Sequence, residues 1–301
     1  MSAVRAIAGF GRTVTDLAVT EAFYRDGLGF ARVAPPEPVP AAQAEAMGLA
    51  GPDATQLRMR LGEQVVTFLA VDPPGAPYPD NPVATDPYFQ HLAIPVRDMA
   101  AAMARLGRLG PTPISRGGPQ ALPATSGGVT AYKFRDPDGH PLELIVFPDG
   151  PPAERWRNAP GLFLGIDHSA ITVTDLDAAL AFLTGPLGLT EAQRGLNQGP
   201  EQARLDGLDD PLVDVIALEP QAPAPHVELL HYRRPASRRP SRAPFGPDDR
   251  ASTRFVFTVA EPARLARDLA AAGLAARAAA DGSAAYAVGP DGHGFLFLRV
   301  D

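Results

Sequence analysis

The sequence predicts an α+β chain built from four copies of one βαβββ module. Three observations carry this: an internal repeat, strands that end in an acid opening a helix, and Asp-Gly turns that close short β-rich runs. Thr13-Val14-Thr15-Asp16-Leu17 recurs as Thr172-Val173-Thr174-Asp175-Leu176. The residues beyond each copy also match, Phe23 with Phe182 and Leu28-Gly29-Phe30 with Leu187-Gly188-Leu189. Near the other end of each half, Asp136-Pro137-Asp138-Gly139-His140 returns as Gly289-Pro290-Asp291-Gly292-His293.

Two weaker openings lie between these, His91 to Asp98 and Arg254 to Glu261, each an alternating strand with an acid two positions after its valine. Four modules result, at 1–72, 89–148, 162–233 and 251–301. Each opening strand leads into a helix: Asp16 to Leu28, Asp98 to Leu109, Asp175 to Leu187 and Glu261 to Leu274. The acid sits at the helix start, where it suits the dipole. The β-rich runs come next, at Gln64 to Val71, Val129 to Phe134, His140 to Phe147, Val213 to Leu218 and Val227 to Tyr232. The Asp-Gly pairs 138–139 and 291–292 are expected as hairpin turns between the last two strands. Proline-rich segments from Asp72 to Pro87, Asp149 to Pro160 and Arg233 to Asp249 read as spacers.

Three hundred and one residues suffice for about two domains, expected at 1–148 and 162–301. With no cysteine, a disulfide framework, a thiolate metal site and a cysteine nucleophile are all excluded. Any metal must use His, Asp or Glu. No stretch approaches the roughly 20 apolar residues of a membrane span, and the N-terminus has no signal-like apolar run, so the cytoplasm is the expected compartment. A net charge of −7 argues against nucleic acid as a partner. The one basic run, Arg233 to Arg242, reads as a solvated loop.

A four-fold βαβββ repeat with strands ending V-x-D and a terminal D-P-D-G-H-x-x-E-L resembles the vicinal oxygen chelate superfamily of glyoxalases, bleomycin-resistance proteins and extradiol dioxygenases. The resemblance covers nearly the whole chain. It implies two half-open, eight-stranded barrels, each made by two modules, and a metal held by residues of the first strand and by a Glu on the last strand of each module. Module one offers Gly9 and no acid in Val65 to Phe68. Module two offers His91 and Glu143, and module three His168 and Glu228. Module four has Arg254 and Leu296. Pairing modules one with two and three with four would leave one His and one Glu per barrel. Pairing two with three, and one with four, gathers His91, Glu143, His168 and Glu228 in one barrel and leaves the other bare; the fused glyoxalase I enzymes supply a precedent for it.

Two imidazoles and two carboxylates suit one divalent ion, Zn, Ni, Co, Mn or Fe. Glu143 and Glu228 are the candidate catalytic bases, able to take a proton next to a carbonyl while the ion stabilises the enediolate oxygen. The expected function is glyoxalase-like isomerase or lyase chemistry on a small molecule, by a monomer or homodimer. The Arg that glyoxalase I places before the strand valine for glutathione is here Thr13, Pro95 and Thr172, which counts against glutathione. The alternatives are an Fe(II) extradiol dioxygenase and a metal-free binding protein. His140 and His293, present in both a ligand-bearing and a bare module, read as structural. His226 is open between a partner of the ligands and a substrate contact, His231 reads as exposed on the opposite face, Tyr132 as bordering the cavity or a hairpin, and Arg254 as pointing to solvent rather than binding an anionic ligand.

Overall fold

The computed structural model describes residues 4–49, 51, 53–222, 225–239 and 246–300. Module one runs β1 (Val4–Thr13), α1 (Leu17–Ala22, continued by a π-helical turn Phe23–Gly27), β2 (Ala31–Arg32), β3 (Glu37–Pro38), α2 (Ala41–Met47), β4 (Asp53–Leu61) and β5 (Gln64–Asp72). Module two has β6 (Gln90–Pro95), α3 (Met99–Leu106), β7 (Thr112–Pro113), β8 (Gln120–Ala121), β9 (Thr130–Arg135) and β10 (Pro141–Val146). After a short α4 (Pro151–Glu154), module three continues as β11 (His168–Thr172), α5 (Leu176–Thr184), β12 (Thr190–Gln198), α6 (Pro200–Asp206), β13 (Leu212–Glu219) and β14 (His226–Arg234). Module four is β15 (Thr253–Val259), α7 (Pro262–Ala271), β16 (Ala276–Ala278), β17 (Ala284–Val288) and β18 (Gly294–Arg299).

The helices begin where the acids predicted. Asp16, Asp98 and Asp175 are N-caps whose side chains accept backbone N–H groups of the first turn. Glu261 occupies the same place without a side-chain cap, and Pro262 comes after it at the first helical position.

The strands form two sheets, ordered β16-β17-β18-β15-β1-β5-β4-β2 and β12-β13-β14-β11-β6-β10-β9-β7, with β3 and β8 as short additions beside β4 and β9. Module one therefore joins module four, and module two joins module three. Each seam is antiparallel, β1 on β15 and β6 on β11, while within a module the first strand runs parallel to the last. The outermost strands of each sheet do not meet, so both are half-open barrels. Segments 1–148 and 162–301 are each spread over both sheets.

The repeated Asp-Gly-His turn ties the sheets together. His140 Nε2 lies 2.7 Å from the Thr13 carbonyl and Asp138 Oδ1 accepts Thr15 N–H at 2.8 Å, joining module two to module one. His293 and Asp291 do the same for module four on module three, at 2.9 Å to the Thr172 carbonyl and 2.7 Å from Thr174 N. Helices and the faces they cover share one large core drawn from all four modules, including Phe10, Phe68, Leu144, Ile171, Leu229 and Phe257. The opposite faces carry separate, smaller clusters.

The described part of the basic run is largely exposed, but Arg233 and Arg234 belong to β14 and three of its arginines have carboxylate partners. Arg233 is paired with Asp214, Arg234 with Asp210 and Arg239 with Asp86; residues 240–242 lie outside the described residues. Each of these carboxylates gives a guanidinium a fixed partner, which composition alone could not reveal.

Candidate metal centre

On the face away from α3 and α5, modules two and three build a cavity of about 490 Å³, with α4 and α6 contributing to its wall. Strand register explains which side chains enter it. Across the β6/β11 seam, His91 stands opposite Ala170 and His168 opposite Ala93, so each imidazole faces a methyl group. On the flanks, Glu143 is in register with Ala93 and Glu228 with Ala170. The arrangement has an approximate two-fold axis through the seam that exchanges His91 with His168 and Glu143 with Glu228. The small alanines leave the space into which four donors converge.

All four predicted residues come together. His91 Nε2 lies 3.0 Å from Glu143 Oε2, while His168 Nε2 lies 3.9 Å from the same oxygen and 3.7 Å from Glu228 Oε1. Donor atoms of His91, His168 and Glu228 all fall within 4.8 Å of one another. The histidines and Glu143 are buried and Glu228 nearly so. Yet His91 Nδ1, His91 Nε2 and His168 Nε2 have no hydrogen-bond partner; the 3.0 Å approach to Glu143 is out of line for one. Buried polar nitrogens are ordinarily satisfied. Unsatisfied imidazole nitrogens converging with carboxylates are what a divalent ion would complete, so the residues fit the implied metal.

Without an ion the four groups hold charge unevenly. Burial pushes His91 down to about 4, against the pull of Glu143. His168 rises to about 9, because Glu228, Asp167 and Glu143 outweigh its burial. Burial would raise Glu143, but His91 and Lys133 bring it down to about 2. Glu228 stays raised, its burial only partly countered by His168.

Sequence reasoning missed the residues packed behind these four side chains. Asp167 Oδ2 lies 3.0 Å from His168 Nδ1, which points the other nitrogen at the carboxylates. Asp167 is itself held by Arg155 Nη1 at 3.0 Å and Trp156 Nε1 at 3.3 Å, from the segment read as a spacer. Lys133, opposite Glu143 on β9, is buried with its Nζ 2.8 Å from Asp206 Oδ1 on α6. The Glu-containing strand was legible, but the lysine across from it carried no motif. His226 stacks obliquely beside His168 at 5.0 Å between ring centres, with Nδ1 3.9 Å from Asp167, so it lines the cavity behind the ligands. His231 is on the other face as expected but half-buried against Asp214 at 3.1 Å. Tyr132 belongs to the shared core beside Phe134, not to the cavity; its neighbour Lys133 is the one that faces inward.

The other barrel carries none of these donors. In register, Gly9 and Arg254 take the places of the two histidines, Thr67 and Leu296 those of the glutamates. Arg254 does not point to solvent: it is 3% exposed and lies across Gly11, its Nη1 reaching the Thr13 and Ser252 hydroxyls at 3.2 and 3.3 Å. The absent side chain at Gly11 opens an inward path that residue type alone did not show.

A half-barrel made by two βαβββ modules defines a fold class, and the sequence agrees. The profile of the glyoxalase/bleomycin resistance protein/dioxygenase superfamily matches residues 6–144 and 165–298, and the chain belongs to that superfamily. Glyoxalase I from Zea mays has a similar structure, with a TM-score of 0.62 at 15% identity over 98% of this chain and 92% of that one. A Bacillus subtilis protein with a provisional dioxygenase assignment aligns at a TM-score of 0.60 and 15% identity, over 99% and 86% of the two chains. Among curated proteins none matches. No described helix is long and apolar enough to cross a membrane.

Proposed function

We propose that the cavity of modules two and three binds one divalent ion through His91, Glu143, His168 and Glu228, and isomerises or cleaves a small carbonyl compound by carboxylate-assisted proton transfer. The observation that carries this reading is the convergence of buried, unpartnered imidazole nitrogens with two carboxylates on one concave face. When bound, the ion supplies charge stabilisation for an enediolate oxygen. The chain's own groups do the rest: His168 is held in orientation by Asp167, and Glu143 and Glu228 flank the substrate position as proton acceptors from a carbon next to a carbonyl. Zn, Ni, Co, Mn and Fe all suit the donors.

A second reading, an Fe(II) ring-cleaving dioxygenase, is favoured by one feature: of the two compact donor groups that share His168, the one that includes both predicted histidines is His91, His168 and Glu228, two imidazoles and one carboxylate, the other being Asp167, His168 and His226. The test is metal analysis of protein purified without chelator, then assays of 2-oxoaldehyde–thiol adducts, acyl-CoA epimers and catechols with each metal. Proton exchange next to a carbonyl supports the first reading. Iron with oxygen uptake on catechols replaces it with the second, and a protein that takes up no ion removes both.

A further inference from the structure

The two-fold symmetry of the site is broken at one position, and the break points to what the ligand carries. The axis that exchanges Glu143 with Glu228 also exchanges their cross-strand neighbours, Lys133 on β9 and Ala217 on β13. One side of the cavity thus has a buried ammonium where the other has a methyl group, and both line the same space. A buried cation is costly unless paired, and Lys133 is paired with Asp206. The pairing does not exhaust it. The ammonium has three donors and Asp206 takes one; among the described residues no other acceptor takes the remaining two.

Asp206 is fully committed. Its second oxygen accepts from Gln202 Nε2 at 2.7 Å and from the Tyr232 hydroxyl at 3.0 Å. That contact also fixes the orientation of Gln202, since only the amide nitrogen can face a carboxylate. The amide oxygen of Gln202 is left buried with no partner, and Gln202, like Lys133, lines the cavity. Spare donors and an orphaned acceptor therefore sit side by side on one carboxylate, on two residues of the cavity wall that have no counterpart across the axis.

We propose that Lys133 and Gln202 form a subsite for a hydroxy acid group: the carboxylate of the ligand accepts from Lys133 and its neighbouring hydroxyl donates to the Gln202 amide oxygen. The subsite rests on the metal-centre reading above and gives it a substrate class, small hydroxy or oxo acids, and an orientation. The acid group lies on the Glu143 side and the opposite end of the ligand faces Glu228. Asp206 and Tyr232 act as positioning residues for the pair.

The test uses the full chain loaded with Co(II), titrated with L-malate and with its uncharged diamide, L-malamide, while the visible absorption of the ion and the heat of binding are recorded. The double variant Lys133→Met, Asp206→Asn removes both buried charges together, so neither is left unpaired. Gln202→Met removes the orphaned acceptor while Asp206 keeps Lys133 and Tyr232. Malate affinity is expected to fall roughly tenfold or more in the double variant with malamide affinity much less affected, the size of a lost charge-assisted hydrogen bond, whereas Gln202→Met lowers both ligands severalfold because each keeps the hydroxyl; Co(II) content is unchanged in both variants. Equal malate affinity in wild type and double variant, or no malate binding to Co(II)-loaded wild type, overturns the subsite and leaves the metal centre standing. A wild type that takes up no Co(II) overturns both.

Discussion

The two half-barrels share one topology and differ in what fills their concave faces. In the sheet of modules two and three, Ala93 and Ala170 sit beneath two histidines, and the face opens into a cavity of about 490 Å³. In the sheet of modules one and four, the corresponding face is closed by Met47, Leu49, Leu69, Tyr286 and Leu296, with Ala46 and Met47 supplied by α2. The inserted helix is used in both. Helix α2 of module one lies against β17 of module four, while α6 of module three reaches module two, where Asp206 meets Lys133. One insertion delivers apolar packing and the other a polar wall. A repeated fold thereby has one concave face filled with apolar side chains and one left open and polar, and substitutions at matched positions should have different outcomes.

The largest contrast is between His168 and Arg254, which occupy matched places. His168→Ala is expected to lower metal affinity by more than about 100-fold, as is His91→Ala, since each removes a ligand from a set of four. Arg254→Ala is expected to leave metal content unchanged. Elemental analysis after dialysis against a weak chelator checks the pair; retention of metal by either histidine variant would break the assignment of the site to modules two and three. Asp167→Asn comes next. It keeps the shape but weakens the hold on His168 Nδ1, and a loss of about 10- to 100-fold in metal affinity is expected.

Packing in the closed barrel gives the third contrast. A Cβ at Gly11 would lie 2.5 Å from Nε and 2.6 Å from Cγ of Arg254, which is itself buried and has nowhere to swing. Gly11→Val is expected to destabilise by about 1–3 kcal/mol in chemical denaturation. Metal content should not change, because Gly11 lies in the other sheet.

The turns that lock the sheets together should show in acid. Burial holds His140 neutral, pushed down to about 3, and His293 is lowered for the same reason. In the unfolded chain a histidine titrates near about 6.5. Between those values the unfolded state binds more protons, so stability is complete above about 6.5 and falls as pH drops. His140→Gln keeps a donor for the Thr13 carbonyl but does not titrate in this range. Its stability loss between pH 7.5 and 5.5 is expected to be about 1 kcal/mol smaller than that of wild type, read from unfolding midpoints at both pH values.

Much of this organisation is written in the sequence because repeats and turn chemistry are local. The V-x-D and Asp-Gly-His motifs marked module boundaries, helix caps and hairpins, and the ligand pattern alone favoured the seam of β6 with β11. The donors His91, Glu143, His168 and Glu228 were legible because they recur at fixed places in the module. Lys133, Asp206 and Arg155 were not, since each acts through a contact that depends on where a different module or a connecting segment is brought, and Asp167, though next to His168 in sequence, carried no motif. The locking partners of His140 and His293 are of the same kind: both were recognised as structural, but the carbonyls they hold, Thr13 and Thr172, lie more than a hundred residues away.

Arg254 sets the smallest and most discriminating comparison. It is a buried cation whose hydrogen-bond acceptors are the hydroxyls of Thr13 and Ser252, and burial lowers its affinity for a proton. No described carboxylate lies within ion-pair distance of it, unlike Arg12 one strand away, which stands 3.6 Å from Asp136. Desolvating a guanidinium against neutral hydroxyls recovers little of its hydration, whereas its stem still fills the space over Gly11. Arg254→Met keeps most of that volume and removes the charge. Thr13 retains its bond to the Pro247 carbonyl at 2.6 Å, so one of the two hydroxyls stays satisfied. The net change in unfolding free energy is therefore expected to lie within about 1 kcal/mol of zero, on the stabilising side if desolvation dominates. A loss of several kcal/mol would mean that the guanidinium is paired in solution.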